Sequence, residues 1–387
     1  MNKQGIYLDY AATTPVSEAV FKEMQPYFGD VFANPSALHT MGQEAQAALD
    51  NARHEIADIL GADWREIIFT ASATESINLA IRGVVKDAKR SLENPHIVTT
   101  SIEHSAVLET CRDLEKEGVE VSYIPVDGDG LVNPDDVAKA IKDTTVLASV
   151  MYVNNEIGTI QPIKQISDLI NSYNENSDVK KVVFHTDAVQ ATNYLDINPH
   201  DLGVDLMTIS GHKIYGPKGT AILFKSRDVS LAPATTGGGQ ERGYRSGTEN
   251  IPAIVGFAKA LKDAQSFKNS ESERLTALRD KFIKDVLSGA KGAGLNGSAE
   301  KRIANNASFC FENFPSEVMV PALDAKGVYV SSGSACAARV PEPSHVINAI
   351  GKEDCALNTI RCTLGRETTE EDLKKATEAI IEISNQA

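Results

Sequence analysis

The stretch Leu206-Met207-Thr208-Ile209-Ser210-Gly211-His212-Lys213 decides how this chain is read. Its first four residues make an apolar run suited to a buried strand, and a small polar turn then places a lysine at the strand exit. The pattern recurs upstream, where the run over 182–184 leads into Thr186-Asp187-Ala188-Val189-Gln190, with Asp187 26 residues before Lys213. Further runs at 66–70, 96–100, 146–152 and 221–224 alternate with amphipathic helical stripes between about residues 40 and 225. Ala45, Leu49, Ala52, Ile56 and Leu60 form one stripe, closed by Gly61 as a C-cap. Ile77, Ala80, Ile81, Val84 and Ala88 form a second, and Val107, Cys111 and Leu114 a third. Near-continuous apolar strands separated by helices predict an α/β protein whose mostly parallel sheet is covered on both faces.

After residue 230 the style changes. Residues 235–250 hold five glycines without periodicity and read as a long loop. Long helices follow, and Thr368 with Glu371 reads as the capping box of a C-terminal helix whose inner face is Leu373, Ile380 and Ile383.

A lysine at one strand exit, with an acid and a glutamine at a neighbouring exit, suits pyridoxal phosphate. The amine joins the cofactor aldehyde, and the carboxylate pairs with the pyridinium nitrogen to keep the ring an electron sink. Alone, the lysine reads as snorkelling and the aspartate as a helix cap. Together they read as a cofactor site. Ser210 and His212, flanking the lysine, are candidate phosphate holders. Thr70-Ala71-Ser72-Ala73-Thr74 links a strand to a helix, so Ala73 and Thr74 stand at a helix N-terminus, a natural phosphate seat; Thr74 also suits the N-cap itself.

At 387 residues the chain exceeds one ordinary core, which predicts two lobes. With 42% hydrophobic and 24% charged residues it has the composition of a soluble globular protein, and no apolar stretch is long enough to span a membrane. Neither a signal core nor an Arg-rich transit pattern opens the chain, so the cytoplasm is the expected location. A formal charge of −15 opposes binding to a phosphate backbone and predicts no direct nucleic-acid partner.

The five cysteines, at 111, 310, 336, 355 and 362, are odd in number and scattered, a pattern that predicts neither a disulfide framework nor a paired zinc motif. Cys310 and Cys362 lie in apolar runs and read as inert buried thiols, Cys111 falls on a helix pattern and Cys355 in a polar turn. Cys336 alone has a chemical context. Ser331-Ser332-Gly333-Ser334-Ala335-Cys336 follows a short apolar run and leads to Pro341-Glu342-Pro343-Ser344, which reads as a loop exposing a thiol.

Here the chain resembles the cysteine desulfurases of the NifS/IscS type within the class V aminotransferase group. The resemblance runs almost end to end through Tyr7-Leu8-Asp9-Tyr10-Ala11-Ala12-Thr13-Thr14, Asn34-Pro35-Ser36, Ala73-Thr74-Glu75, Glu103-His104, Asn154-Asn155-Glu156-Ile157-Gly158, Arg245-Ser246-Gly247-Thr248 and Arg361-Cys362-Thr363-Leu364-Gly365-Arg366. It implies a fold type I transferase, with a large cofactor-binding domain over 16–259 and a small α+β domain built from 1–15 and 260–387 that carries the catalytic cysteine loop. It implies that L-cysteine is converted to L-alanine with a persulfide left on Cys336. Lys213 would move the Cα proton, and His104 would stack on the ring and serve as the base near Cys336. Ala73, Thr74, His104, Asn155, Asp187, Gln190, Ser210, His212, Lys213 and Thr248 would hold the cofactor, Thr248 reaching the phosphate of a neighbouring subunit in a homodimer. Asn155 and Arg361 would bind substrate, a guanidinium gripping a carboxylate with two parallel hydrogen bonds; a structural ion pair is the other reading of Arg361. No resident metal is implied, with Cys336 a candidate transient iron–sulfur ligand. The sulfur acceptor would be an iron–sulfur scaffold or a tRNA-thiolation protein.

Three departures stand out. The family usually places glycine where Ser72 stands, and Arg339 and Pro341 follow the cysteine where small or aliphatic residues are common. A selenocysteine lyase or aminotransferase of the same class shares the lysine and aspartate without needing the loop thiol. A non-catalytic sulfur-carrier scaffold is the alternative outside enzymes, and the intact set of Asp187, Gln190, His212 and Lys213 speaks against it.

Overall fold

A computed structural model describes residues 5–177, 181–312, 314–333 and 343–386. Cys336, Arg339 and Pro341 lie outside the described residues. The strands run β1 (Ile6–Tyr7), β2 (Ile67–Thr70), β3 (His96–Thr100), β4 (Glu120–Ile124), β5 (Thr145–Ser149), β6 (Val183–Asp187), β7 (Leu206–Ser210), β8 (Ala221–Lys225), β9 (Ala293–Leu295), β10 (Asn306–Phe311), β11 (Val328–Tyr329), β12 (Ser331–Ser332) and β13 (Thr359–Thr363).

The large sheet has the order β2-β8-β7-β6-β5-β3-β4. β8 runs antiparallel to both of its neighbours, and the other pairs are parallel. Two antiparallel steps leave β2 parallel to β7. The C-terminal ends of β2, β3, β5, β6 and β7 therefore open on one edge, where open α/β sheets bind ligands. Every residue of β2, β3, β5, β6, β7 and β8 is buried, as strands sandwiched between helical layers must be. One apolar cluster includes Phe69, Phe184, Met207 and Phe224; a second, on the opposite side of the alternation, includes Ile68, Leu147, Val183 and Leu223.

The helical stripes fold as their spacing predicts. Ala45, Leu49, Ala52, Ile56 and Leu60 are buried on helix Thr40–Leu60, and Gly61 closes it at φ 64°, a left-handed angle that costs glycine little. Asn133 caps helix Pro134–Lys139 by accepting from Asp135 N. The C-terminal helix Glu370–Ser384 starts one residue later than expected: Thr369 is the cap and Asp372 its reciprocal partner. Thr368 Oγ1 is occupied elsewhere, accepting from Gly365 N at 2.9 Å, and so cannot cap the helix.

A second sheet, β12-β13-β10-β9, is antiparallel, and β1 pairs in parallel with β11. Helix Ile251–Gly289 serves both regions: its first half buries Ile254, Phe257 and Leu261, its second Leu275, Phe282 and Val286. Phe282 packs edge-on against Phe309 of β10.

The cysteines depart from expectation. Cys310 in β10 is bonded to Cys355, 45 residues on, in the short turn Glu353–Cys355. Register explains the meeting. Cys310 pairs across the sheet with Thr359, and Thr359 Oγ1 donates to Cys355 O at 2.9 Å, folding the turn back over the strand end.

The glycine-rich loop 235–250 is pinned by a buried ion pair. Arg53 donates from Nη1 and Nη2 to the two oxygens of Glu241 at 2.8 and 2.6 Å, and Glu241 Oε2 also accepts from Phe69 N in β2 at 2.9 Å. Glu241 and Arg242 both hold positive φ, 48° and 56°, a conformation other residues adopt only when surrounding contacts impose it. Arg242 Nη2 donates to Ile67 O at 2.6 Å and completes the constraint. The loop is thus fastened to the strand that leads to Ser72, Ala73 and Thr74.

Candidate active site

The parallel strand ends enclose a cleft of about 650 Å³. β7 delivers Lys213, β6 Asp187, β5 the turn with Asn155, β3 His104, and β2 the start of helix Ala73–Ala88; β13 adds Arg361. Of the residues singled out in the sequence, Ala73, Thr74, His104, Asn155, Asp187, Gln190, His212, Lys213 and Arg361 all line this cleft. Ser210 and Thr248 do not: Ser210 is buried within the strand end, and Thr248 is exposed on its loop. Cys336 lies outside the described residues, but Pro343, just beyond its segment, lines the cleft.

The N-terminal segment forms part of the wall, a feature the motif Tyr10-Ala11-Ala12-Thr13 did not disclose. Lys213 Nζ donates to Ala11 O and Ala12 O at 2.5 and 2.6 Å, and Gln190 Nε2 donates to Ala11 O at 3.1 Å. Thr13 Oγ1 lies 3.2 Å from His212 Nδ1. Burial, reinforced by Lys213 and Lys218, lowers His212 to about 4, so it is neutral at pH 7.

Asp187 is 7% exposed, and burial pushes its carboxyl up, opposed by His104, by a hydrogen bond from Val189 N and by Lys213. That bond, 2.9 Å long, uses Oδ1. No described group donates to Oδ2, which stays available to a ring nitrogen whose positive charge would hold the acid ionised. His104 caps helix Ser105–Lys116: its Nδ1 accepts from Ala106 N at 3.0 Å. Its neutral ring therefore carries the proton on Nε2, the nitrogen left for chemistry. Burial keeps it neutral, with Lys213 and His345 adding to the effect and Asp187 opposing it.

At the phosphate seat Ser72 is the N-cap, accepting from Glu75 N at 3.1 Å, and Glu75 Oε2 accepts from Ala71 N at 2.7 Å. No described group accepts from the amides of Ala73 and Thr74, which together with the helix dipole form an anion site. Ser72 has φ −163°, an extended angle open to any residue, so serine replaces the usual glycine without strain. Free amides at a helix start, a buried acid with one open oxygen and a lysine in the same cleft fit pyridoxal phosphate.

Arg361 is 2% exposed and is shared between both of its readings. Nη2 donates to Asp9 at 2.9 Å and Nη1 to Asn155 O at 2.9 Å, while the buried Nε has no partner. A buried guanidinium donor without an acceptor suits a ligand carboxylate.

Two buried acids stand in motifs quoted above without a role attached to them. Glu103 Oε1 accepts from Thr100 Oγ1 at 2.7 Å and from Met151 N at 2.9 Å, but the buried Oε2 has no partner. Burial raises it to about 8, with nearby Asp187 pushing the same way. Glu156 lies on the cleft wall and is raised by burial to about 7. Both follow or precede recognisable motif residues, but nothing in their spacing marks a buried carboxyl.

Glu103 makes stability depend on pH. Below about pH 4.5 the group is protonated folded or unfolded; above that, only the folded state keeps the proton, so stability falls with rising pH until about pH 8. Glu103→Gln removes the titration. Urea unfolding should show the wild type losing on the order of 3 to 5 kcal/mol relative to Glu103→Gln between those limits. Parallel pH profiles for the two proteins would contradict a neutral Glu103.

Residues 6–375 match the model of the aminotransferase class-V family. The chain is 45% identical to a cysteine desulfurase IscS of Dictyoglomus turgidum over 372 residues, 96% of this chain and 92% of that one. It is 44% identical to a cysteine desulfurase IscS of Methanosarcina thermophila over 381 residues, 98% and 92% of the two chains. Among solved structures, a NifS-like protein superposes with a TM-score of 0.92 at 34% identity, covering 99% of this chain and 100% of that one. SspA in complex with cysteine superposes with a TM-score of 0.80 at 39% identity, covering 92% and 98%. The lysine and acid at adjacent strand exits thus sit in a frame shared with these proteins, and the chain belongs to the class V aminotransferase family, as one of its pyridoxal phosphate-dependent cysteine desulfurases.

Proposed function

We propose that this desulfurase places the sulfur of L-cysteine on Cys336 and passes it on to an acceptor protein serving iron–sulfur cluster assembly or tRNA thiolation. The state of the other four cysteines carries this reading. Cys310 and Cys355 are bonded to each other and, bonded or reduced, neither lines the cleft, while Cys111 and Cys362 are 0% exposed with burial holding both thiols well above the ordinary range. A thiol that stays protonated and inaccessible is a poor nucleophile. Cys336 is the cysteine left for the role.

Pyridoxal phosphate, when bound, supplies the electron sink that loosens the bonds at the substrate Cα. Arg361, through Nε and the fork beside it, holds the substrate carboxylate. Lys213 Nζ takes and returns the Cα proton from its place beside Ala11 and Ala12. His104 Nε2 exchanges the proton of the thiol. In the transfer itself the Cys336 thiolate attacks the substrate sulfur, forming an S–S bond as the substrate C–S bond breaks. The electron pair stays on carbon, which gains a proton and leaves as alanine. The substrate carbon is reduced by the electrons the sulfur gives up, so Cys336–SH and L-cysteine yield Cys336–S–SH and L-alanine without an external oxidant.

The division into lobes over 16–259 and over 1–15 with 260–387 belongs to the same proposal, as does a homodimer. Phe21, Phe28, Phe32 and Leu38, all within one stretch of the chain, are exposed at 52, 66, 66 and 92%, large apolar side chains that suit a second copy of this chain. No described helix is long and apolar enough to cross a membrane. A cytoplasmic location is proposed with it, where the Cys310–Cys355 pair would meet reducing thiols.

Product analysis tests the reaction type. With L-cysteine as sole substrate, alanine is expected to match cysteine consumed. Accumulation of a 2-oxo acid, with the amino group moved to an added 2-oxo acid, would favour the aminotransferase reading. Arg361→Lys turns a forked contact into a point contact, a loss on the order of 1.5 to 3 kcal/mol. Its steady-state kinetics should show KM for cysteine rising roughly 10- to 100-fold with a smaller change in kcat. Unchanged KM would leave Arg361 as the structural partner of Asp9.

A further inference from the structure

Glu156 joins the two ends of the segment that carries Cys336. It lies in Asn154-Asn155-Glu156-Ile157-Gly158, a turn that is fixed from within. Asn154 Oδ1 accepts from the amides of Glu156 and Ile157 at 2.9 and 3.0 Å, and its Nδ2 donates to Ile102 O at 2.8 Å. Outside the turn, Asn306 Nδ2 donates to Glu156 O at 3.2 Å, and Arg361 Nη1 holds Asn155 O. From this rigid base the Glu156 carboxyl, in a residue 4% exposed, accepts at Oε2 from Ser344 Oγ at 2.5 Å. Ser344 Oγ also accepts from Ile347 N at 3.1 Å as the N-cap of helix His345–Ala349, so its one proton goes to Glu156.

Gly333 approaches the same oxygen. A Cβ at position 333 would stand 3.2 Å from Glu156 Oε2 and 3.6 Å from Ser344 Cβ, closer to the carboxylate than nearly all side chains come. Gly333 and Ser344 bracket Cys336 in the chain. Cys336 is three positions beyond Gly333 in the sequence, a span of at most roughly 10 Å of extended chain. Packing alone does not account for a carboxyl here: burial drives it up to about 7 against Ser344 and Arg361, and an apolar side chain of similar volume would avoid that desolvation.

We propose that Glu156 is a positioning residue for sulfur transfer: by gathering Gly333 and Ser344 around one carboxylate oxygen at the cleft wall, it sets where the Cys336 segment begins and ends. The proposal rests on the reading of Cys336 as sulfur acceptor. It differs from a substrate-binding role for Glu156 in what it leaves untouched, since cysteine would still bind at Arg361 and the cofactor.

Three measurements on the holoenzyme test it. The first is the change in visible spectrum on titrating L-cysteine, the second is the single-turnover rate at which a sulfur appears on Cys336 by mass spectrometry, and the third is the rate of Cys336 alkylation by iodoacetamide without substrate. In Glu156→Ala the cysteine titration should stay near wild type, sulfur transfer should slow roughly 10- to 100-fold, and the alkylation rate should change. Glu156→Gln, which keeps an acceptor for Ser344, should restore most of the transfer rate. Ser344→Gly removes the donor while keeping an acceptable N-cap, and should reproduce the defect even where Glu156→Ala does not fold. Wild-type transfer and alkylation rates in both Glu156→Ala and Ser344→Gly would overturn the proposal, as would loss of cysteine binding in parallel with transfer. A wild-type enzyme that turns over without sulfur on Cys336 would instead overturn the underlying reading.

Discussion

Lys213→Ala should yield a folded protein that has lost the visible absorption of a lysine-bound pyridoxal cofactor and about 10⁴-fold of its cysteine turnover. The fold should survive because the backbone at this position is held independently: Asn193 Nδ2 donates to Lys213 O at 2.7 Å, and Ile214 is fully buried beyond it. What disappears is the amine at the exit of β7, and with it both the covalent tie to the cofactor and the group that moves the Cα proton. Asp187, Ala73 and Thr74 remain, so cofactor should still bind, more weakly and without the lysine-bound band. Absorption spectra and far-ultraviolet circular dichroism check both halves. A variant that keeps colour and turnover would remove Lys213 from the chemistry.

Cys336→Ser should separate binding from sulfur transfer. Arg361, Lys213 and Asp187 are untouched, so L-cysteine should still change the cofactor spectrum at wild-type concentrations. Alanine release should fall to near zero, because a serine hydroxyl stays protonated at neutral pH and is a poor acceptor for sulfur. Cys111 and Cys362 cannot substitute, being fully buried with raised thiols. Full turnover in Cys336→Ser, measured as alanine formed, would move the chain toward the class V rivals that need no loop thiol.

Much of the large sheet was legible because its strands are short apolar runs ending in polar turns, and a buried strand has few other sequences open to it. The reversal of β8 was not: 221–224 is as apolar as the parallel strands of the same sheet, and direction depends on the connection rather than on the run. Lys213, Asp187 and His104 were legible as residues whose chemistry stands out against a strand end. Their supports were not. The carbonyls of Ala11 and Ala12 come from a segment some 200 residues away, and Asp9 meets Arg361 across a separation of 352. Backbone acceptors have no residue-type signature, and a carboxyl such as Glu103 shows its burial only after folding. The Cys310–Cys355 pair illustrates the same limit, since 45 residues of spacing carry no pairing signal until β10 and β13 are in register. At the C-terminal helix two capping frames overlap, Thr368 with Glu371 and Thr369 with Asp372, and the choice was made by Gly365 N engaging Thr368.

Mass spectrometry of the holoenzyme after a single turnover with isotope-labelled L-cysteine tests sulfur transfer to Cys336 most directly. One labelled sulfur, removable by a thiol reductant, is expected on the peptide containing Cys336, with an equal amount of alanine in solution. Labelled sulfur on Cys111, Cys310, Cys355 or Cys362, or alanine released with no sulfur bound to the protein, would contradict it.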